Sequence, residues 1–181
     1  MKAYTVRIKF VTDYLQARFT EDAKKELENY VSRGIVKSYE DSWVVLLHQD
    51  DKGIYIPSIQ VRNSLVNAGR DFKLKKQRRS LQQWVISNVM IEPSEIYLGK
   101  QKPDKVITSY PARKDGNRVT IKHPAFVTGV EVEFVLKSLD DTMEAKAISD
   151  LISCAGKNYG IGARRRDMFG RFELKKFESA K

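Results

Sequence analysis

Cysteine occurs once in 181 residues, at Cys154. A lone thiol excludes an internal disulfide framework and any zinc site built on several cysteines, and it suits a reducing compartment. No apolar run approaches the ~20 residues that a membrane span needs. The N-terminus, MKAYTVRIKF, alternates where a signal peptide would run apolar. Walker, dinucleotide and triad motifs are missing. The carboxylates of YEDS, QDD and LDDT read as turn and cap acids, not as the clustered set that a two-metal nuclease needs. There is no internal repeat and no low-complexity segment. These absences lead us to expect a cytoplasmic protein with no membrane contact, no cofactor and no metal site.

Acids are also scarce, 23 against 33 lysines and arginines, which leaves a net charge of +10. The surplus is concentrated. Residues 70–79, RDFKLKKQRR, carry +5 and residues 157–171 carry +4, so 25 positions hold +9 of the total. Such clustering is an electrostatic footprint for an anionic partner and not a generally basic surface.

The length fits a single domain over 1–181, with an insertion expected over 70–127. Tyr4, Val6, Ile8 and Phe10 alternate with polar residues, the period of a half-buried strand, which turns Arg7 and Lys9 to the opposite face, toward a ligand. Thr20 opens a helix with Ala23, Leu27, Tyr30 and Val31 on one face and Gly34 at its end. SWVVLL reads as a buried strand, and QDDKG turns it into IYI as a hairpin. Pro57-Ser58 start a second helix, with Val61, Leu65 and Ala68 aligned, that ends near Gly69. QWVISNVMI, SEIYLG, VITSY and RVTIK read as strands, the last two joined through RKDGN. Val130 to Leu136 alternate again. Asp140 to Thr142 then cap a helix over 143–154 that Gly156 closes, and RFELKKF is the final strand. The order predicts an α+β fold, an antiparallel ferredoxin-like (RRM-like) sheet with helices on one face, a strand-rich insertion and a C-terminal glycine-rich loop.

That loop, GKNYGIGARRRDMFGRF, sets four glycines and four arginines between a helix and a strand. Gly160 and Gly162 can offer peptide N–H groups to a phosphate. Arg164, Arg165 and Arg166 are consecutive, so at least one reaches outward while another packs or pairs internally; Arg171 follows Gly170 into the strand. Tyr159 is the aromatic best placed to stack on a base. In the other basic stretch Lys73, Lys75, Lys76, Arg78 and Arg79 are candidates for phosphate contact, with Phe72 and Leu74 interleaved. The competing account makes the first a helix-to-strand turn and the second a solvated charge run.

The segment GIGARRRDMFGRFEL resembles the C-terminal glycine-rich loop of the RAMP superfamily, the repeat-associated proteins of CRISPR effector complexes. Gly160, Gly162, Gly170, Arg171 and Phe172 agree in type and spacing. IYIPSIQVRNSLVNAGR is similar to the Ile-Pro-then-helix segment of the backbone-type members, although Ser58 and Asn63 stand where those favour glycine. Together the matching segments cover about 30 of the 181 positions. In length the chain is more similar to the RAMP-like proteins of phages and prophages. The resemblance implies a ferredoxin-like fold that binds RNA or another single strand without cutting it, alone, as a homo-oligomer or assembled along the strand. It also allows the processing type, a metal-independent endoribonuclease, for which His48 and His123 are the acid–base candidates. A third expectation is an assembly subunit whose basic loops meet a protein partner.

Overall fold

The computed structural model describes residues 1–18, 21–34, 39–72, 80–110, 116 and 120–180. Thr20, Lys73, Leu74, Lys75, Lys76, Arg78, Arg79 and the RKDGN turn other than Gly116 lie outside the described residues, as do the side chains of Leu27 and Val31.

Alternation builds the first strand, β1 (Lys2–Phe10). Tyr4, Val6, Ile8 and Phe10 are buried, and Arg7 is exposed on the other side. The short strand β2 (Tyr14–Leu15) leads to helix α1 (Glu21–Ser32), whose Glu21 and Asp22 occupy the first turn, where the helix dipole favours acids. SWVVLL does not form the expected strand: Tyr39–Leu46 is a 3-10 helix. Val45, Leu46 and Leu47 are buried in succession, which a half-buried strand cannot achieve.

The hairpin before IYI is shorter than expected and starts within QDDKG: β3 (Gln49–Asp50) pairs with β4 (Gly53–Pro57), and Asp50 Oδ1 accepts the N–H groups of Lys52 and Gly53. Helix α2 (Ser58–Ala68) starts directly after Pro57 and buries Val61, Leu65 and Ala68. The first half of the expected strand QWVISNVMI is instead helix α3 (Leu81–Asn88). Its buried Leu81, Trp84 and Val85 have helical spacing, and Trp84 Nε1 donates to Asp140 Oδ2 at 2.9 Å. Only the second half is a strand, β5 (Val89–Glu92).

Strands β6 (Glu95–Tyr97), β7 (Lys105–Ser109), β8 (Ile121–Phe126) and β9 (Glu131–Ser138) follow. Helix α4 (Ala145–Cys154) begins later than expected, after Glu144, and no side chain caps it. Asp140 does not cap it, because its Oδ1 closes an upstream turn by accepting from Thr142 N–H and Oγ1. Gly156 does not end it either. A wide π-turn carries the helix through Ala155–Tyr159 to Gly160, before the final strand β10 (Phe172–Ser179).

The main sheet has the order β10-β1-β9-β5, antiparallel throughout. Read as β1, α2, β5, β9, α4, β10, the core strands lie in the spatial order fourth, first, third, second, which is the ferredoxin-like plan. Helices α2 and α4 touch each other and cover one face. Between them and the sheet lie Val6, Ile8, Phe134, Leu136, Leu65, Ile148 and Leu151, all buried. Each such side chain contributes ~1.5–3 kcal/mol of apolar transfer.

Topology makes α2 the first core helix and leaves α1 outside the core plan. The excursions between β1 and α2 and between β5 and β9 fold together. Each supplies strands to two small sheets, β2-β8-β7 and β3-β4-β6. Strand β8 pairs with β7 along one edge and with β2 at Ala125 and Phe126 on the other, and the 3-10 helix packs against it. Within the stretch 70–127, Val89–Glu92 belongs to the main sheet.

Candidate nucleic-acid interface

The glycine-arginine loop is sewn to the body through its backbone. Ile161 N–H donates to Gly170 O at 2.9 Å, Ala163 N–H to Leu15 O at 2.8 Å, and Gly170 N–H to Asp13 O at 2.8 Å. Thr12 Oγ1 donates to Met168 O and accepts from Arg171 N–H. Gly170 sits at φ 71°, and a Cβ there would strike the Ile161 carbonyl; Gly162, at φ 89°, would strike Leu15 O and the Tyr14 ring. These two glycines let the loop lie flat against its support. Arg164 and Met168 take the left-handed conformation without being glycine, at φ 54° and 69°, and bracket a 3-10 turn over Arg165–Asp167. Such backbone strain persists only where the surroundings fix it.

The three consecutive arginines have three environments. Arg164 pairs internally, its Nε donating to Asp167 Oδ2 at 2.5 Å. Arg165 is half-buried and Arg166 is exposed. All three line a groove of about 730 Å³ whose other residues are Gly162, Ala163, Asp167, Ala17, Gln60, Asn63, Ile121 and His123. The wall opposite the loop comes from α2, through Gln60 and Asn63, and the floor from the small sheet β2-β8-β7. Gln60 and Asn63 went unremarked as ligand-facing residues. Their spacing on α2, away from Val61, Leu65 and Ala68, was the available signal.

His123 forms part of this groove but is 3% exposed. Its Nε2 lies 3.2 Å from Ser109 Oγ and its Nδ1 3.4 Å from Gln16 O. Burial lowers its pKa, the Gln16 carbonyl opposes this, and the nearby Arg164 charge lowers it further. His48 stands one side chain away, with Nε2 3.2 Å from Gln60 Nε2. Gln60 Oε1 accepts from Tyr14 O–H, so the amide donates to His48, which fixes a neutral imidazole protonated at Nδ1. Burial, aided by Arg18, brings the His48 pKa down to about 4. At neutral pH both rings are therefore uncharged.

Other expected residues are placed elsewhere. Tyr159 is tied down, its O–H donating to the Asp71 carboxylate at 2.9 and 3.0 Å. Leu81 N–H in turn donates to Phe72 O, joining the flanks of the first basic stretch near the foot of the loop. Gly160 N–H is spent on Ala155 O at 2.8 Å. Arg171 is 9% exposed; its Nη2 donates to Arg165 O, while Nε and Nη1 are buried without a hydrogen-bond partner. Burial, with Arg165 beside it, lowers its pKa.

The uncovered face of the main sheet is not a cationic platform. Arg7 pairs with Glu133 at 2.9 Å, Lys9 with Glu131 at 3.8 Å, Lys137 with Glu92 at 2.5 Å and Lys176 with Glu178 at 2.7 Å. Its cross-strand partners Ala3, Thr5, Val135 and Met90 include no aromatic ring. Among the described residues no group of three or more His, Cys, Asp or Glu is placed to hold a metal ion, and no helix is long and apolar enough to cross a membrane.

No family model matches the chain, and no curated protein matches it. Among solved structures it is similar to a chain in the cryo-EM structure of the type III-B Cmr-beta complex bound to cognate target RNA. The TM-score is 0.58 and the identity 19%, covering 99% of this chain and 61% of that one. A chain of a type IV-B CRISPR complex aligns with a TM-score of 0.49 and 10% identity, over 97% of this chain and 90% of that one. The present chain thus spans about three fifths of the length of the first of these. At such identities the likeness is one of fold: the chain has an α+β, ferredoxin-like fold.

Proposed function

We propose that this protein binds single-stranded nucleic acid, RNA in preference, in the groove between the glycine-arginine loop and α2, and does not cut it. One observation carries the reading: a rigidly anchored loop presents Arg164, Arg165 and Arg166 to a groove faced by amide side chains. Arginines meet phosphates with planar, charge-assisted donors, and Gln60 and Asn63 offer both donors and acceptors to the rest of a nucleotide. Because the contacts are to the backbone, sequence preference is weak. RNA is favoured over single-stranded DNA because the fold is similar to that of a component of a complex bound to target RNA. The finer likeness, to the phage and prophage members of the RAMP superfamily, rests on chain length and the loop. Mass measured at saturation on long RNA reads whether several copies line up on one strand or other subunits are needed.

We assign phosphate contacts also to Lys73, Lys75, Lys76, Arg78 and Arg79, which brings the phosphates neutralised to about four to six. Fluorescence anisotropy with RNA and DNA oligomers should give a slope of log K against log salt of about −3 to −4. No binding at low salt overturns the reading. A second reading, a metal-independent endoribonuclease, is favoured by one observation, the presence of His123 in the groove. Its burial and the engagement of both ring nitrogens argue against it. RNA recovered intact from the same mixtures in EDTA is the expected result, and cleavage lost in His123→Ala would favour the second reading.

A further inference from the structure

The small sheet β3-β4-β6 carries aromatic side chains that the core does not use. Ile54 and Ile56 of β4 and Ile96 of β6 are buried, which by alternation turns Tyr55 and Tyr97 to the opposite face. The two tyrosines are direct cross-strand partners, with ring centroids 6.0 Å apart and planes at 68°. His48 adds a third ring, 5.9 Å from that of Tyr55. All three are half-buried. The row also adjoins the groove, because Gln60 lines the groove and touches His48.

We propose that the His48–Tyr55–Tyr97 row is a base-stacking subsite, taking one or two nucleobases of the strand whose phosphates lie against Arg164–Arg166. The inference rests on the reading above and deepens it by assigning the bases a place. Its surroundings suit a base better than a phosphate. Tyr97 O–H donates to Asp50 at 2.6 Å, and the charges of Asp50 and Glu95 both bear on Tyr97, so a phosphate there is repelled. Arg18, whose charge bears on His48, is already paired with Glu26 at 3.2 Å. The hydrogen bond to Asp50 holds the Tyr97 ring in place, which lowers the ordering cost of stacking on it. His48 is uncharged at neutral pH and presents a flat, weakly solvated ring. The open face of the main sheet offers no such row, and Tyr159 is engaged by Asp71.

The test uses the full chain and a labelled uridine oligomer of about 12 nucleotides, within the usual range of single-strand site sizes. Tyr97→Leu should weaken binding about tenfold at every salt concentration and leave the salt slope unchanged, since stacking releases no counterions. Tyr97→Phe keeps the ring but loses the bond to Asp50 that orders it, and should bind slightly below the parent protein and well above Tyr97→Leu. Tyr55→Leu checks the neighbouring ring independently, and circular dichroism confirms that each variant is folded. An oligomer with abasic sites throughout should bind the parent and Tyr97→Leu equally. If both leucine variants bind the uridine oligomer like the parent, or if Tyr97→Phe fails as badly as Tyr97→Leu, the stacking inference falls while the groove reading stands. If the parent protein itself binds nothing, both fall.

Discussion

His48 occupies a place that accepts a ring and refuses a charge. It is half-buried, its Nε2 accepts from Gln60, and Arg18 lies close enough to oppose protonation. Its folded pKa of about 4 lies below the ordinary 6.5. Between those values the unfolded chain binds the proton and the folded one does not, so folding loses stability as pH falls. The contribution is complete above about pH 6.5 and is lost progressively toward pH 4. His123, also lowered by burial, adds in the same direction. Urea midpoints at pH 7, 5.5 and 4.5 should therefore fall more steeply for the parent than for His48→Gln, which has no proton to bind. Parallel curves would mean that the ring is protonated in the folded protein.

At the scale of elements, the loop between α4 and β10 behaves as part of the scaffold. Its N–H groups at Gly160, Ile161, Ala163 and Gly170 all donate to carbonyls of the chain. An alanine at Gly170 must adopt positive φ and displace the Ile161 carbonyl, so Gly170→Ala should cost about 3 kcal/mol. For a chain of this size that is a fall in Tm of roughly 6–12 °C, read by calorimetry.

The same scale separates what was legible in the sequence from what was not. Alternation in β1 and β9, the helical period of α2 and the glycines of the loop all reflect local physics, and each predicted its element. SWVVLL and QWVIS are short apolar runs, whose period cannot separate a buried strand from a helix. Tertiary surroundings decided both: Tyr39–Leu46 packs against β8, and Trp84 found Asp140. The row of His48, Tyr55 and Tyr97 carried no sequence signal, because only the pairing of β4 with β6 brings the two tyrosines together.

At the scale of the whole molecule, the distribution of charge decides which side a polyanion approaches. The uncovered sheet face presents cations already matched by glutamates, three pairs across strands and Lys176–Glu178 within β10, at distances from 2.5 to 3.8 Å. Exposed pairs of this sort contribute ~0–1 kcal/mol to stability and produce almost no net field at a distance. The groove side holds three arginines against the single acid Asp167. The loop half of the +9 clustering is thus an asymmetry of surfaces. This makes a two-sided prediction. Arg7→Ala with Lys9→Ala should change RNA affinity less than twofold and leave the salt slope as it was. Arg165→Ala with Arg166→Ala should weaken binding at low salt and reduce the slope by about 1.4, the value for two lost phosphate contacts on a single strand. Anisotropy titrations at four salt concentrations distinguish the two faces. If the sheet-face pair moves the slope and the loop pair does not, the strand lies on the wrong side of the molecule for everything proposed about the groove.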